Sequence, residues 1–166
     1  MPEAILLNGL EILNHADGLL IVADSVWTWS GLESRCLESS MRIFISVPEM
    51  RIAENSILKL GINGIHMRNR YPYFTSMTQE FFCRVLVIPC DDGFQIGTTE
   101  TLATGIFGDD FILDRHGNAW ITQDPMDMIT HVLGKEKKTG EVVTVAGKLD
   151  TEFLAGATGC AFGRID

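Results

Sequence analysis

"GINGIHMRNRYPYF", from Gly61 to Phe74, sets an Asn-Gly pair ahead of an apolar strand, a polar turn and a second strand. The same order recurs upstream in "LLNGLEILNHADGLLIVADS", Leu6 to Ser25. It recurs again downstream in "FGDDFILDRHGNAWITQ", Phe107 to Gln123, where Asp-Asp replaces Asn-Gly. Anchored on Asn8, Asn63 and Asp109, the copies stand 55 and 46 residues apart, a period of propeller blades or solenoid units. First strands read "GLEIL", "GIHMR" and "FILD"; turns read "NHADG", "NRYP" and "RHGN"; second strands read "LLIVADS", "YFTSM" and "AWITQ". They are short, rich in β-branched and aromatic residues, and bounded by Gly, Asn, Asp and Pro, the pattern of strands joined by tight turns.

Third strands are expected at "FFCRVLVIP" and "MITHVLG", and fourth strands at "RIFISVPEM", "TTETLAT" and "VVTVAG". No stretch of about ten or more residues carries helical periodicity. The fold class is therefore all-β: about three four-stranded β-propeller blades plus a partial one. The repeats fall at about 6–60, 61–106 and 107–150 of one partial propeller domain over 1–166, and 151–166, with "GATGCAFGRID", starts another blade. Closed propellers have about 4–8 blades, so three leave sheet faces open. The expectation is a piece of a longer propeller, or a homodimer in which a second copy completes the ring.

The chain has 166 residues, enough for one domain with a sizeable core. Apolar residues make up 46% and charged residues 21%, a globular composition. Its net charge of −9, with no basic run beyond "KEKK" at Lys135–Lys138, argues against nucleic acid as a partner. No apolar stretch reaches the roughly 18 residues of a membrane span, and the N-terminus has no signal-peptide pattern. The chain as given reads as cytoplasmic, or as secreted if a signal peptide lies upstream. Cys36, Cys83, Cys90 and Cys160 form no CxxC pair, which argues against zinc, and Cys83 reads as a small core residue.

Equivalent positions of successive blades face one axis, so Asn8, Asn63 and Asp109 converge although 101 residues separate the outer two. Amide carbonyls and a carboxylate are hard oxygen donors that suit Ca²⁺ or Mg²⁺, held weakly because only one carboxylate contributes. Such a cation polarises a carbonyl and acidifies water. Asn and Asp are also ordinary turn residues, and the pattern by itself leaves both readings open. His15 and His116 fall in turns, and His66 and His131 read as packing or surface residues on strands. Asp24 and Ser25 end a second strand at a blade corner, Asp114 and Asn118 frame a turn, and Trp27, Trp29 and Trp120 read as blade packing. Neither a Gly-x-Ser-x-Gly elbow nor a phosphate loop occurs.

Four motifs, "NGL…DGLLIVADS", "GINGIH…YFTS…FCRV", "GDDFILDRHGNAWIT" and "GATGCAFGR", run in order along nearly the whole chain. In them the sequence resembles the senescence marker protein / gluconolactonase / luciferin-regenerating-enzyme family of six-bladed propellers, and more closely its branch among fungal secondary-metabolism proteins. The resemblance implies a small-molecule substrate and either lactone hydrolysis or cyclisation of a natural-product intermediate. It also implies a divalent cation at one channel mouth, with Asn8 and Asn63 matching two Asn ligands and Asp109 matching an Asp that is both ligand and general base, with Asp110 beside it. The family's Glu ligand belongs about two blades before Asn8 and has no counterpart here. "VWTWSGLESRCLESSMR" also departs from the strand the family carries after the first "VADS". These departures keep a second reading in view, a non-catalytic binding or scaffold propeller.

Overall fold

The computed structural model describes residues 5–14, 18–26, 29–32, 34–35, 43–90, 93–134 and 140–163. His15, Trp27, Cys36 and the Lys135–Lys138 run lie outside the described residues. The first sheet holds β1 (Leu7–Asn14), β2 (Leu19–Asp24), β3 (Trp29–Leu32) and β5 (Ile43–Ile45) in that order, with the short β4 (Ser34–Arg35) also on β2. The second holds β6 (Ile62–Arg68), β7 (Tyr71–Ser76), β8 (Phe81–Cys90) and β9 (Gly93–Thr104). The third holds β10 (Phe111–Leu113), β11 (Ala119–Gln123), β12 (Met128–Val132) and β13 (Val142–Gly147). Neighbouring strands are antiparallel throughout. The all-β fold is as the sequence leads one to expect, with each sheet built as a propeller blade. The only helical elements among the described residues are 3-10 turns at Pro48–Met50 and Glu152–Leu154. No helix of the described residues is long and apolar enough to cross a membrane.

Strand alternation explains how the blades stack. Along a strand, successive side chains point to opposite faces. In β7, Phe74 joins Ile21, Ile45, Ile62, Ile65 and Cys83 in a cluster between the first and second sheets. Its neighbour Tyr73 joins Phe82, Phe111, Ile121 and Val132 between the second and third. Cys83 is fully buried, as a small core residue should be, and burial pushes its thiol pKa up to about 12.

Three local differences from the sequence reading have physical causes. The turn after β6 is only Asn69 and Arg70, with Asn69 at φ +57°, while Tyr71 and Pro72 already pair with Arg68 and Met67. Asn tolerates that left-handed conformation, so two residues suffice. The first sheet has a third strand, β3, whose Ser30 and Gly31 read in the sequence as turn residues. From 151 to 163 the chain forms a 3-10 turn and then irregular backbone, without a strand among the described residues.

Two glycines set the spacing of the innermost strands. A Cβ on Gly9 would lie 2.6 Å from Ile65 N, and one on Gly64 would lie 2.9 Å from Asp109 O. Only a residue without a side chain lets these backbones approach so closely. The outer faces of the arc stay open: Leu7, Leu10 and Ile12 are exposed on β1, and Val142, Val143 and Val145 on β13.

Candidate functional site

Asn8-Gly9 and Asn63-Gly64 sit at matching irregularities. Register slips between Leu7 and Leu10 in β1, and between Ile62 and Ile65 in β6. Such bulges re-aim side chains and are frequent beside functional sites. Asp109 and Asp110 lie just ahead of β10 and continue its pairing, with Asp109 N donating to Thr122 O and Thr122 N to Asp110 O. The second blade fastens this segment. Thr75 Oγ1 donates to Asp109 O at 2.6 Å, and Gly64 N donates to that oxygen at 3.0 Å.

The three anchors meet equivalent partners, each the residue that follows the second strand of its own blade. Asn8 Nδ2 donates to Ser25 Oγ at 3.4 Å, Asn63 Nδ2 lies 3.9 Å from Met77 Sδ, and Asp109 faces the charge of Asp124. Across blades, Asn63 lies near enough to Asp109 for its amide to hold that carboxyl's pKa down in part. The structure therefore brings Asn63 and Asp109 into contact, while Asn8 is exposed and held within its own blade. Asn63 is 2% exposed, and its Oδ1 is buried without a hydrogen-bond partner. An unpaired buried carbonyl costs about 1–3 kcal/mol and demands a reason. Asp109 is 9% exposed. Burial, then the negative charges of Asp124 and Asp110, push its pKa up to about 6, against a partly offsetting hydrogen bond from Asn63.

A second constellation joins three blades. His66 Nδ1 lies 3.1 Å from Glu11 Oε2 and Nε2 lies 3.1 Å from Asp110 Oδ1, with the ring edge-on to Phe111 at 4.9 Å. Burial pulls the His66 pKa down, but the hydrogen bonds and charges of Asp110 and Glu11 outweigh it and hold it above the usual value. In the sequence His66 reads only as a packing or surface residue, and Glu11 does not stand out. A signal is nevertheless present, because Glu11 and His66 each stand three residues after their anchors and so share a register position.

The remaining polar candidates are structural. The Asp24 carboxylate accepts from Ile5 N, Leu6 N and Val26 N, pinning the blade corner. Asp114 accepts from His116 N, Asn118 N and Asn118 Nδ2 in the turn after β10. His131 stacks on Trp120 at 4.3 Å, so both serve packing.

Among the described residues, no three His, Cys, Asp or Glu side chains stand together so as to hold a metal ion. A cation at the first constellation would have to be held by amide oxygens together with Asp109. The donor set fits that role: a buried, unpaired Asn63 carbonyl beside the Asp109 carboxyl, whose pKa burial, and then the charges of Asp124 and Asp110, push up to about 6.

No family model matches the chain, and no curated protein sequence matches it. Among solved structures, the chain is similar to an oxidoreductase (glucose dehydrogenase) of the bacterium Thermus thermophilus. The identity is 13% and the TM-score 0.44, over 82% of this chain and 43% of that one. The chain thus spans less than half the length of that structure.

Proposed function

We propose that the chain belongs to a propeller-type enzyme that acts on a small organic substrate at the mouth where Asn63 meets Asp109. The observation that carries this reading is an unsatisfied, buried Asn63 Oδ1 close to an Asp109 carboxyl whose pKa burial, and then like charge, push up to about 6. Perturbed carboxyls of this kind concentrate at functional sites. Asn63 and Asp109, with Asn8 at the exposed rim, would hold a Ca²⁺ or Mg²⁺ ion. When bound, such an ion supplies Lewis-acid polarisation of a lactone carbonyl. Asp109 accepts a proton from the attacking water at its carboxylate, for which a pKa within about a unit of neutral is well matched. Thr75 and Gly64 hold the Asp109 backbone in place while it does so.

The finer assignment is lactone opening, by the resemblance of the repeat motifs to gluconolactonase-like propellers. Hydrolysis of δ-gluconolactone, followed by pH-stat with Ca²⁺ or Mg²⁺ and then with EDTA, tests it. Turnover that needs the ion and is lost in Asp109→Asn supports hydrolysis. Absence of lactone turnover, with no ion detected by calorimetry, sets that reading aside in favour of cation-independent cyclisation of a natural-product intermediate or a non-catalytic scaffold.

A further inference from the structure

The innermost strands have a second end. Asn63 is the second residue of β6 and Arg68 its last, so at about 3.3 Å per residue they stand about 17 Å apart along the strand. At the Arg68 end lies a cavity of about 450 Å³, within the range of about 300–1,000 Å³ for small-molecule sites. Met67, Ile112 and Leu113 form its apolar wall. Its polar wall is Glu11, His66, Arg68, Asp114 and Arg115.

Charge here runs against the rest of the molecule. The chain carries a net charge of −9, yet this wall sets two guanidinium groups and an imidazole against two carboxylates. Both carboxylates are already engaged. Glu11 is paired with His66, and Asp114 takes three hydrogen bonds from its own turn, at 2.7 to 3.0 Å. Against the upward push of its burial, bonds from Asn118 and His116 hold the Asp114 carboxyl below its usual value.

The two arginines have no such neutralisation. Among the described residues neither Arg68 nor Arg115 pairs with a carboxylate. Arg68 Nη1 donates to the carbonyl of Asp114, and Nη2 donates to that of Arg115 at 2.8 Å. The guanidinium carbon would lie 3.6 Å from a Cβ on Gly117, so its plane is fixed over the turn. Carbonyl oxygens orient a guanidinium but leave its full charge and its remaining donors uncompensated. Arg115 gives its Nε to His116 Nε2 at 2.9 Å and is otherwise exposed. A planar, always-charged fork held in position is the group that recognises carboxylate and phosphate oxygens.

We propose that this cavity is an anion site, in which Arg68 and Arg115 grip a small carboxylate- or phosphate-bearing molecule whose carbon body lies on Met67, Ile112 and Leu113. It stands apart from the Asn63–Asp109 mouth and does not depend on a cation there. The test is titration of the 166-residue chain with succinate and with inorganic phosphate at low ionic strength, followed by amide shifts in NMR spectra. Saturable shifts at residues 112–118 and at Arg68 are expected. In Arg115→Gln, whose exposed side chain is remote from the core, they should weaken by about tenfold, with the melting temperature unchanged. Arg68→Gln is the second variant, and its amide spectrum reports separately whether the turn has kept its shape. Saturation by succinate alone assigns a carboxylate ligand, and by phosphate alone a phosphorylated one. Absence of saturation for both up to tens of millimolar, shifts centred elsewhere, or unchanged affinity in Arg115→Gln overturns the proposal.

Discussion

Replacing Asp109 by Asn should stabilise the protein at neutral pH. The unfolded chain releases this proton near 3.8, whereas the folded chain keeps it up to about 6. A raised carboxyl pKa means that the folded state binds the proton more tightly, so stability falls as pH climbs from about 4 to about 6 and stays reduced above. The gap of roughly two units, at 1.36 kcal/mol each, corresponds to about 3 kcal/mol as an upper bound. Asn keeps the shape and removes the charge, and the backbone bonds of Asp109 to Gly64, Thr75 and Thr122 do not involve the side chain. For a domain of this size, that gain is worth roughly 5–10 °C in melting temperature. Thermal denaturation at about pH 7.5 and about pH 4.5 reads it, with the larger difference at the higher pH. If Asn at 109 is instead destabilising at pH 7.5, the carboxylate is a net favourable partner and the argument from crowded, buried charge fails. The same samples with Ca²⁺ examine the cation reading. An ion at about 100 times its dissociation constant adds about 2.7 kcal/mol to the wild type, and in Asp109→Asn that addition should shrink sharply.

His66 should titrate with a midpoint above 6.5, read from its Cε1 proton in NMR. Its stabilisation is then complete below the unfolded value and disappears as pH rises through the folded one, and His66→Gln should flatten that loss. A midpoint below 6.5 would show that burial outweighs Glu11 and Asp110. Gly64→Ala would place a Cβ 2.5 Å from Asp110 Oδ1 and 2.9 Å from Asp109 O, and should destabilise by about 1–3 kcal/mol. Urea denaturation checks it, and a neutral result would mean that the blades separate easily along this seam. The exposed Leu7, Leu10 and Ile12 predict self-association of the 166-residue chain. Light scattering should give a mass above 18.4 kDa that returns to the monomer value in Leu10→Glu, and a wild-type monomer would refute this.

The blades were legible because a strand-turn-strand unit repeats its chemistry. Apolar alternation fixes which residues enter the core, and Asn or Gly at the turns fixes where pairing begins. β11 and β13 coincide with "AWITQ" and "VVTVAG" because both runs end at turn residues. β3 was hidden because Ser30 and Gly31, which read as turn residues, fall inside it. The site was legible only by position. Asn8 and Asn63 are equivalent in sequence, yet Asn8 is exposed whereas Asn63 is sealed between its neighbours. β6 has blades on both sides, and β1 packs on β6 at one side only among the described residues. Glu11 escaped notice because its partner His66 is 55 residues away and meets it only once the innermost strands stand side by side.

The chemistry each blade can offer changes with the residue opposite its anchor. The position opposite the anchor is Ser25 in the first blade, Met77 in the second and Asp124 in the third. Serine satisfies the Asn8 amide and leaves an inert corner. Methionine is 4% exposed and offers the Asn63 amide only a weak sulfur contact, and the Asn63 carbonyl stays unpaired. Aspartate adds a second negative charge beside Asp109 and, with burial, makes that carboxyl hold its proton to about 6. Exchanging Asp124 for Ser should therefore lower the Asp109 pKa towards its ordinary value and weaken any cation response, with the fold unchanged. A carboxyl still titrating near 6 in Asp124→Ser, observed by ¹³C NMR, would assign the shift to burial and Asp110 and remove Asp124 from the site.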